Sequence, residues 1–180
     1  MRFFTRELLI NINDSNGDIR AQAENKWNKN DKDYQQQFLK VKKHLSKAFV
    51  KEFLARKGMH DYSILGIDID KGTQTYSCEL RLSNGDETVV ITMERITSLQ
   101  MELSSLCCCI QGSLAWGYSE FEITPDKQIR LSVLCDEENE MQFEFKTIQI
   151  KRQEEGSDIT TSRTRKAFPW GKVARQSRDG

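Results

Sequence analysis

The sequence has few of the residues that catalytic and metal sites most often use. Only two histidines occur, His44 and His60, so a mechanism or metal site that needs several imidazoles lacks candidates. The five cysteines are an odd number, and Cys107, Cys108 and Cys109 are adjacent, which fits neither a disulfide framework nor the spacing of a zinc site. These shortages exclude a disulfide-stapled secreted domain and predict reduced thiols and no bound metal.

Long apolar runs and phosphate-binding motifs are also missing. No stretch reaches the roughly 18 apolar residues of a membrane-spanning helix, and the opening MRFFTRELLI lacks the apolar core of a signal peptide. No glycine-rich phosphate loop, serine elbow or kinase motif occurs. Lysine plus arginine equals aspartate plus glutamate, 27 against 27, so the net charge does not attract nucleic acid. These absences predict a cytoplasmic protein with no cofactor and no membrane contact.

The first third of the chain has the pattern of a helical region. Five residues recur at helical spacing and form one stripe: Tyr34, Phe38, Val41, Leu45 and Phe49. Asp31 or Asp33 is a suitable N-cap, and Gly58 follows a cationic last turn. We therefore predict a helix of about 25 residues that ends at Gly58, preceded by a short helix that Thr5 caps.

Alternating apolar and polar residues, separated by turn residues, predict six strands. Their ranges are 64–70, 75–82, 87–94, 118–124, 129–135 and 140–150. Asn84 and Gly85 join the second strand to the third and are a strong signal for a tight hairpin. The apolar phase changes near Lys146 and Thr147, which predicts a bend or bulge within the last strand. Residues 95–112 fit either a helix or a strand.

The fold class that follows is α+β, with one long N-terminal amphipathic helix packed on an antiparallel sheet of about six strands. A length of 180 residues suits a single domain with one core. We expect this domain to span residues 1–152, with helices in 1–58 and the sheet in 60–152. Residues 153–180 are polar and net basic, which predicts a flexible tail whose main apolar group is Phe168-Pro169-Trp170.

The predicted long helix carries a row of exposed cations. Lysines at helical spacing form this row: Lys40, Lys43, Lys47 and Lys51. A basic face of this kind can bind phosphates or an acidic protein surface, but lysine is also the residue most used on a helix face that only contacts water, and that interpretation is favoured. Because arginines and aromatic residues are not interleaved with the lysines, base stacking is disfavoured and nucleic acid is the weakest of the three interpretations.

His60 and Asp61 are adjacent at the junction between helix and sheet, where side chains converge. One interpretation is an enzyme site in which His60 works with Asp61 or with Glu120. The alternative is structural: Asp61 forms hydrogen bonds with backbone groups at the junction, and His60 packs at the boundary between helix and sheet. Trp116 and Tyr118 are recognition anchors if they line a groove, and core residues otherwise.

Four stretches resemble domain of unknown function 4085, an uncharacterised bacterial family. They are residues 1–8 (MRFFTREL), 59–61 (MHD), 116–120 (WGYSE) and 129–134 (IRLSVL). Gly117 stands where that family has leucine, residues 11–30 are shorter and more polar than its acidic insert, and the tail has no counterpart. The resemblance implies a fold but no activity, and it draws attention to five positions: His60, Asp61, Trp116, Tyr118 and Glu120.

The function that these observations favour is a soluble bacterial protein-interaction module without enzymatic activity. Immunity proteins, which bind and neutralise a partner, are one form of such a module, and analogy to them is the basis of the expectation. A hydrolase-like enzyme with a His60/Asp61 site is one alternative. Nucleic-acid binding through residues 40–57 and the basic tail is another.

Overall fold

The computed structural model describes residues 1–102 and 114–153, and it confirms the α+β class. Three α-helices come first: α1 (Arg6–Ile12), α2 (Gly17–Val41) and α3 (Lys47–Ala55), with 3-10 turns at Lys42–His44 and Lys57–Met59. Thr5 is the N-cap of α1 as expected, because its side chain accepts a hydrogen bond from the Leu8 N–H at 3.3 Å.

The single helix predicted to end at Gly58 is wrong in its start and in its continuity. Helix α2 begins one loop earlier, where the Asn16 side chain accepts hydrogen bonds from Asp18 and Ile19. It stops before Leu45, which has extended backbone angles, and the Ser46 hydroxyl starts α3 by accepting the Phe49 N–H at 3.1 Å. Ser46 is therefore an N-cap inside a region whose apolar spacing alone indicates one helix.

Within the described ranges nine strands follow: β1 (Tyr62–Lys71), β2 (Tyr76–Ser83), β3 (Thr88–Ile96), β4 (Ser98–Glu102), β5 (Leu114–Trp116), β6 (Tyr118–Ile123), β7 (Ile129–Leu134), β8 (Glu140–Phe145) and β9 (Thr147–Arg152). They form two antiparallel sheets rather than one of about six strands. The five-stranded sheet has the order β5-β1-β2-β3-β9, and the four-stranded sheet has the order β4-β8-β7-β6. The hairpin at Asn84 and Gly85 joins β2 to β3 as predicted, with Gly85 at φ +92°.

The two sheets are joined where one long pair of strands bends. Strands β3 and β9 pair in the first sheet, and their direct continuations β4 and β8 pair in the second. At the bend, the Lys146 N–H donates to the Glu94 carbonyl at 3.1 Å and the Thr97 N–H donates to the Glu144 carbonyl at 2.9 Å. The phase change expected near Lys146 is thus confirmed as the point where the chain passes between sheets.

Part of the sequence interpretation falls on residues that are not described. Within the ambiguous stretch 95–112, residues 98–102 form strand β4, and residues from 103 onward lie outside the described ranges. The Cys107–Cys109 triplet is among them. The expectation of a flexible tail also concerns residues outside the described ranges, apart from Gln153.

The core lies between the sheets and under the helices. Alternate residues of β2 and β3 are fully buried, including Leu80, Leu82 and Ile91, and Phe143 and Phe145 meet them from the second sheet. Each such side chain stabilises the fold by about 1.5–3 kcal/mol relative to an exposed one. On the helical side Phe49, Phe53 and Phe38 all approach the ring of Phe121 in β6, with centroid distances of 5.8, 5.4 and 6.1 Å.

A charged network connects the end of α3 to the β2–β3 hairpin. The Glu87 carboxylate accepts hydrogen bonds from Arg56 Nε at 2.7 Å, Arg56 Nη2 at 3.0 Å and the Tyr62 hydroxyl at 2.6 Å. The Arg56 guanidinium, followed by the Tyr62 hydroxyl, holds the pKa of Glu87 below its usual value. Glu52, one turn earlier on α3, bonds the same guanidinium at 2.6 Å.

Replacing Glu87 by glutamine is expected to make the free energy of unfolding less dependent on pH. Because the pKa of Glu87 is lower in the folded than in the unfolded protein, its contribution is present above the unfolded value of about 4.3 and is lost as the pH falls through the lowered folded value. We expect Glu87→Gln to lower the free energy of unfolding by about 2 kcal/mol at pH 7, with a smaller difference at pH 3.

Denaturant unfolding between pH 7 and pH 3 measures this difference. The control is Asp86→Asn, at the exposed neighbouring residue of the same turn, which is expected to leave the profile unchanged. An equal loss of stability at both pH values would contradict the role given to Glu87.

Candidate functional site

A groove of about 840 Å³ opens between the helices and the start of strand β6. One wall is the face of α2 that contains Asp31, Tyr34 and Phe38, three and four residues apart, with Leu39 next to Phe38. The other wall is the end of α3 with Leu54. The floor includes Tyr118 from β6. The groove therefore results from the break at Ser46, which lets α3 diverge from the line of α2.

The turn that follows α3 brings His60 and Asp61 to the groove. Three successive residues, Lys57, Gly58 and Met59, have left-handed φ angles of 51°, 71° and 67°, and Asp61 has a φ of 70°. A left-handed conformation costs a non-glycine residue about 1–2 kcal/mol. Full burial of the Met59 side chain, worth about 1.5–3 kcal/mol, offsets much of this cost and keeps the turn in place.

His60, Asp61 and Tyr118 meet at the rim of the groove. The Nδ1 atom of His60 lies 2.9 Å from Asp61 Oδ2, and the imidazole packs edge-on against the Tyr118 ring with centroids 4.9 Å apart. Burial, and then the charge of Asp61, raise the pKa of the Tyr118 hydroxyl. The Asp61 N–H donates to the Trp116 carbonyl at 2.9 Å, so the junction role expected of Asp61 is carried by its backbone.

Glu120 lies outside the groove, and its side chain binds backbone groups. The residue is only 7% exposed, and its carboxylate accepts three backbone N–H groups: Arg2 at 2.9 Å, Phe3 at 2.7 Å and Phe4 at 2.7 Å. Glu120 does not line the groove that contains His60 and Asp61. The carboxylate therefore holds the N-terminal segment against β6, and it brings Phe4 into contact with Tyr118 at 5.6 Å.

Trp116 and Gly117 fill positions with little free space. The Trp116 side chain is fully buried in the core, whereas Tyr118 lines the groove. A Cβ atom on Gly117 would lie 2.5 Å from the Leu134 carbonyl oxygen, a contact that no side chain tolerates without a backbone shift. Gly117 is therefore required where β5 passes into β6, and the sequence alone gives no sign of this long-range contact.

The lysines selected from the sequence surround the corner between α2 and α3. Lys40, Lys43, Lys47 and Lys51 are exposed, but the break in the helix prevents them from forming one continuous helix face. The cations that line the groove are Lys42 and Lys57. Sequence reasoning included these two only within the basic range 40–57 and did not select Leu39 or Leu54, because it treated residues 31–58 as one helix; the Ser46 cap was the available signal.

Reactive thiols, a metal site and a membrane-spanning helix find limited support in the described residues. Burial raises the pKa of both the Cys78 and Cys135 thiols to about 12, so these thiols stay protonated near pH 7. Within residues 1–102 and 114–153, no three His, Cys, Asp or Glu side chains are grouped as metal ligands. No helix in those ranges combines the length and the apolar content needed to cross a membrane.

Comparison of the chain with protein-family models, with curated proteins and with solved structures finds no match. The resemblance to domain of unknown function 4085 stays a prediction. The site must therefore be interpreted from its own geometry.

Replacing Glu120 by glutamine is expected to release the N-terminal segment. Glutamine keeps the shape, but only its oxygen accepts hydrogen bonds, so either the Arg2 N–H or the Phe3 and Phe4 N–H groups lose their acceptor. We expect Glu120→Gln to lower the free energy of unfolding by about 2–3 kcal/mol, since it leaves buried donors without acceptors. Hydrogen exchange at the Phe3 and Phe4 amides, measured beside denaturant unfolding, is expected to become faster.

The matched control is Glu79→Gln, at an exposed glutamate on β2, where a change below about 0.5 kcal/mol is expected. If Glu120→Gln and Glu79→Gln have the same effect on stability and exchange, the carboxylate does not hold the N-terminal segment.

Proposed function

We propose that the protein is a non-enzymatic interaction module that holds a segment of a partner protein in the groove. The observation that carries the proposal is the pair of half-exposed leucines on its two walls. Leu39 on α2 is 45% exposed and Leu54 on α3 is 55% exposed, and both line the same concavity. An apolar concave surface with a polar rim is typical of protein interaction sites.

The groove also contains the kinds of anchor that dominate binding energy. Tyr118 and Tyr34 present aromatic rings with polar ends, and such residues are enriched among the side chains that contribute most to interfaces. Tyr34 is held from behind, since its hydroxyl accepts the Phe121 N–H at 2.9 Å. A wall fixed before binding lowers the entropy cost of association. An immunity-type role stays a prediction, as it depends on the identity of the partner.

Making the groove walls polar is expected to abolish partner binding while the protein remains folded. The change is the double variant Leu39→Asp/Leu54→Asp, which removes both apolar rims at exposed positions. The matched control is Ile19→Asp, because Ile19 is 40% exposed on the same helix α2 and does not line the groove. We expect at least about a hundredfold weaker binding of groove-selected peptides to the double variant, which corresponds to about 2.7 kcal/mol for two anchors.

Isothermal titration with a synthetic peptide, selected for binding to the wild type from a displayed random library, measures this effect. If the double variant and the Ile19→Asp control bind the peptide equally, the groove is not the binding surface. Circular dichroism of each variant checks that the fold is retained.

A second candidate function is a hydrolase, favoured by the 2.9 Å pair of His60 and Asp61 at the groove rim. The pair orients the imidazole as a general base requires, and Ser119 lines the same groove. Glu120, the third member considered from the sequence, is occupied by backbone N–H groups and lies outside the groove.

We expect no hydrolysis at this site. Wild-type protein and His60→Asn are expected to cleave chromogenic carboxylic and phosphate esters at the same background rate, with His44→Asn as the control for loss of an exposed histidine. A wild-type rate about 100-fold above that of His60→Asn, the usual scale of general-base catalysis, would support the hydrolase instead.

A further inference from the structure

The corner between α2 and α3 has a concentration of cations without acidic partners. Six lysines lie between residues 40 and 57, and all are exposed: Lys40, Lys42, Lys43, Lys47, Lys51 and Lys57. Glu52 is the only acidic residue in that range, and its carboxylate is bound to Arg56 at 2.6 Å. None of the six lysines forms an ion pair with another described residue. Their charge is available to an external anion.

The two aspartates that line the groove, unlike the lysines, each interact with a neighbouring side chain. The Asp31 carboxylate accepts a hydrogen bond from Gln35 Nε2 at 2.8 Å, and the Asp61 carboxylate is 2.9 Å from His60 Nδ1. The bond from the neutral Gln35 amide orients the Asp31 carboxylate without cancelling its charge, and Asp61 is paired with His60. Lys42 and Lys57 form no ion pair with a described residue, and the four other exposed lysines of the corner make the charge around the apolar wall positive.

We propose that the segment bound in the groove is acidic and amphipathic. Its apolar side chains pack between Leu39 and Leu54, and its aspartates or glutamates contact Lys42 and Lys57. The four surrounding lysines, selected earlier as a basic face, strengthen the field that attracts such a segment. This inference rests on the proposed function and specifies the partner chemistry of the same site.

The length of the groove limits the segment. Along α2 the lining residues extend from Asp31 to Lys42, and eleven helical steps of about 1.5 Å span roughly 17 Å. A partner helix of about three turns, or about five residues of extended chain, covers that distance. A helix with apolar residues on one side and carboxylates at its edges satisfies both the wall and the lysines.

Nucleic acid fits the same lysines less well. Its phosphate backbone has no apolar side chains to pack between Leu39 and Leu54, the exposed leucines of the groove. Binding of single strands relies on aromatic and arginine stacking among the cations, and the residues from 40 to 51 contain no arginine. An acidic peptide is therefore the partner that the combined surface favours.

The test is selection of random 12-residue peptides, displayed on phage, against four forms of the protein. These are the wild type, the charge reversal Lys42→Glu/Lys57→Glu, the groove variant Leu39→Asp/Leu54→Asp and the control Lys26→Glu/Lys29→Glu. The control reverses two exposed lysines on α2 that do not line the groove. The strongest wild-type peptide is then synthesised, and its affinity for each form is measured by fluorescence polarisation at low and high salt.

The expected result is that wild-type selections are rich in Asp or Glu beside apolar residues. The charge reversal is expected to lower the affinity for the chosen peptide at least about tenfold, and the control is expected to lower it less than twofold. High salt is expected to lower the affinity of the wild type. Selections on the charge reversal should shift to basic peptides. No peptide selected on the wild type is expected to bind the groove variant Leu39→Asp/Leu54→Asp.

Two outcomes distinguish failure of the acidic-partner inference from failure of the proposed interaction function. Peptides that need Leu39 and Leu54 but carry no acidic excess would overturn the acidic partner and leave the interaction function standing. Peptides that bind the groove variant as tightly as the wild type would overturn both. Labelled single-stranded DNA is the third probe. If it binds the wild type more tightly than the best peptide does, and if Lys42→Glu/Lys57→Glu abolishes that binding, the proposal of a protein partner is overturned in favour of nucleic acid.

Discussion

One buried carboxylate determines where the beginning of the chain lies. Glu120 accepts the N–H groups of three successive residues, Arg2 to Phe4, across a sequence separation of more than 110 residues. A carboxylate removed from water is costly unless donors of this kind surround it. The same bonds satisfy backbone groups of a segment that has no strand or helix to pair with. The N-terminal segment and β6 therefore depend on each other.

The groove depends on that anchoring through a chain of aromatic contacts. Phe4 packs against Trp27, Tyr34 and Tyr118 with centroid distances of 4.9, 5.5 and 5.6 Å. Asn30 adds a hydrogen bond from its side chain to the Phe3 carbonyl at 2.7 Å. Helix α2 is thereby held over β6 from its middle, although its mean composition is polar. The wall that carries Leu39 is therefore positioned partly by residues outside the groove, Trp27 and Asn30, and partly by Phe4, which also lines it.

Features set by neighbouring residues could be predicted from the sequence, and features set by distant contacts could not. The Thr5 cap, the hairpin at Asn84 and Gly85, and the buried phase of β2 all follow from local pattern and are present. The requirement for Gly117 depends on a carbonyl seventeen residues away, and the groove depends on how α3 leaves α2. His60 and Tyr118 drew attention separately in the sequence; only the three-dimensional arrangement shows that their rings are in contact and that Glu120 lies outside their groove.

The bent pair of strands makes the two sheets a single cooperative unit. Residues 88–102 remain paired with residues 140–152 through the bend, and the register shifts by one residue there, from Glu94 opposite Thr147 to Ser98 opposite Glu144. A slip by one residue in either half would turn the buried side chains of that half toward solvent. Because both sheets share this continuous pair of strands, partial unfolding that opens one sheet while the other stays intact is disfavoured. Slow amide exchange in both sheets should arise from the same global event.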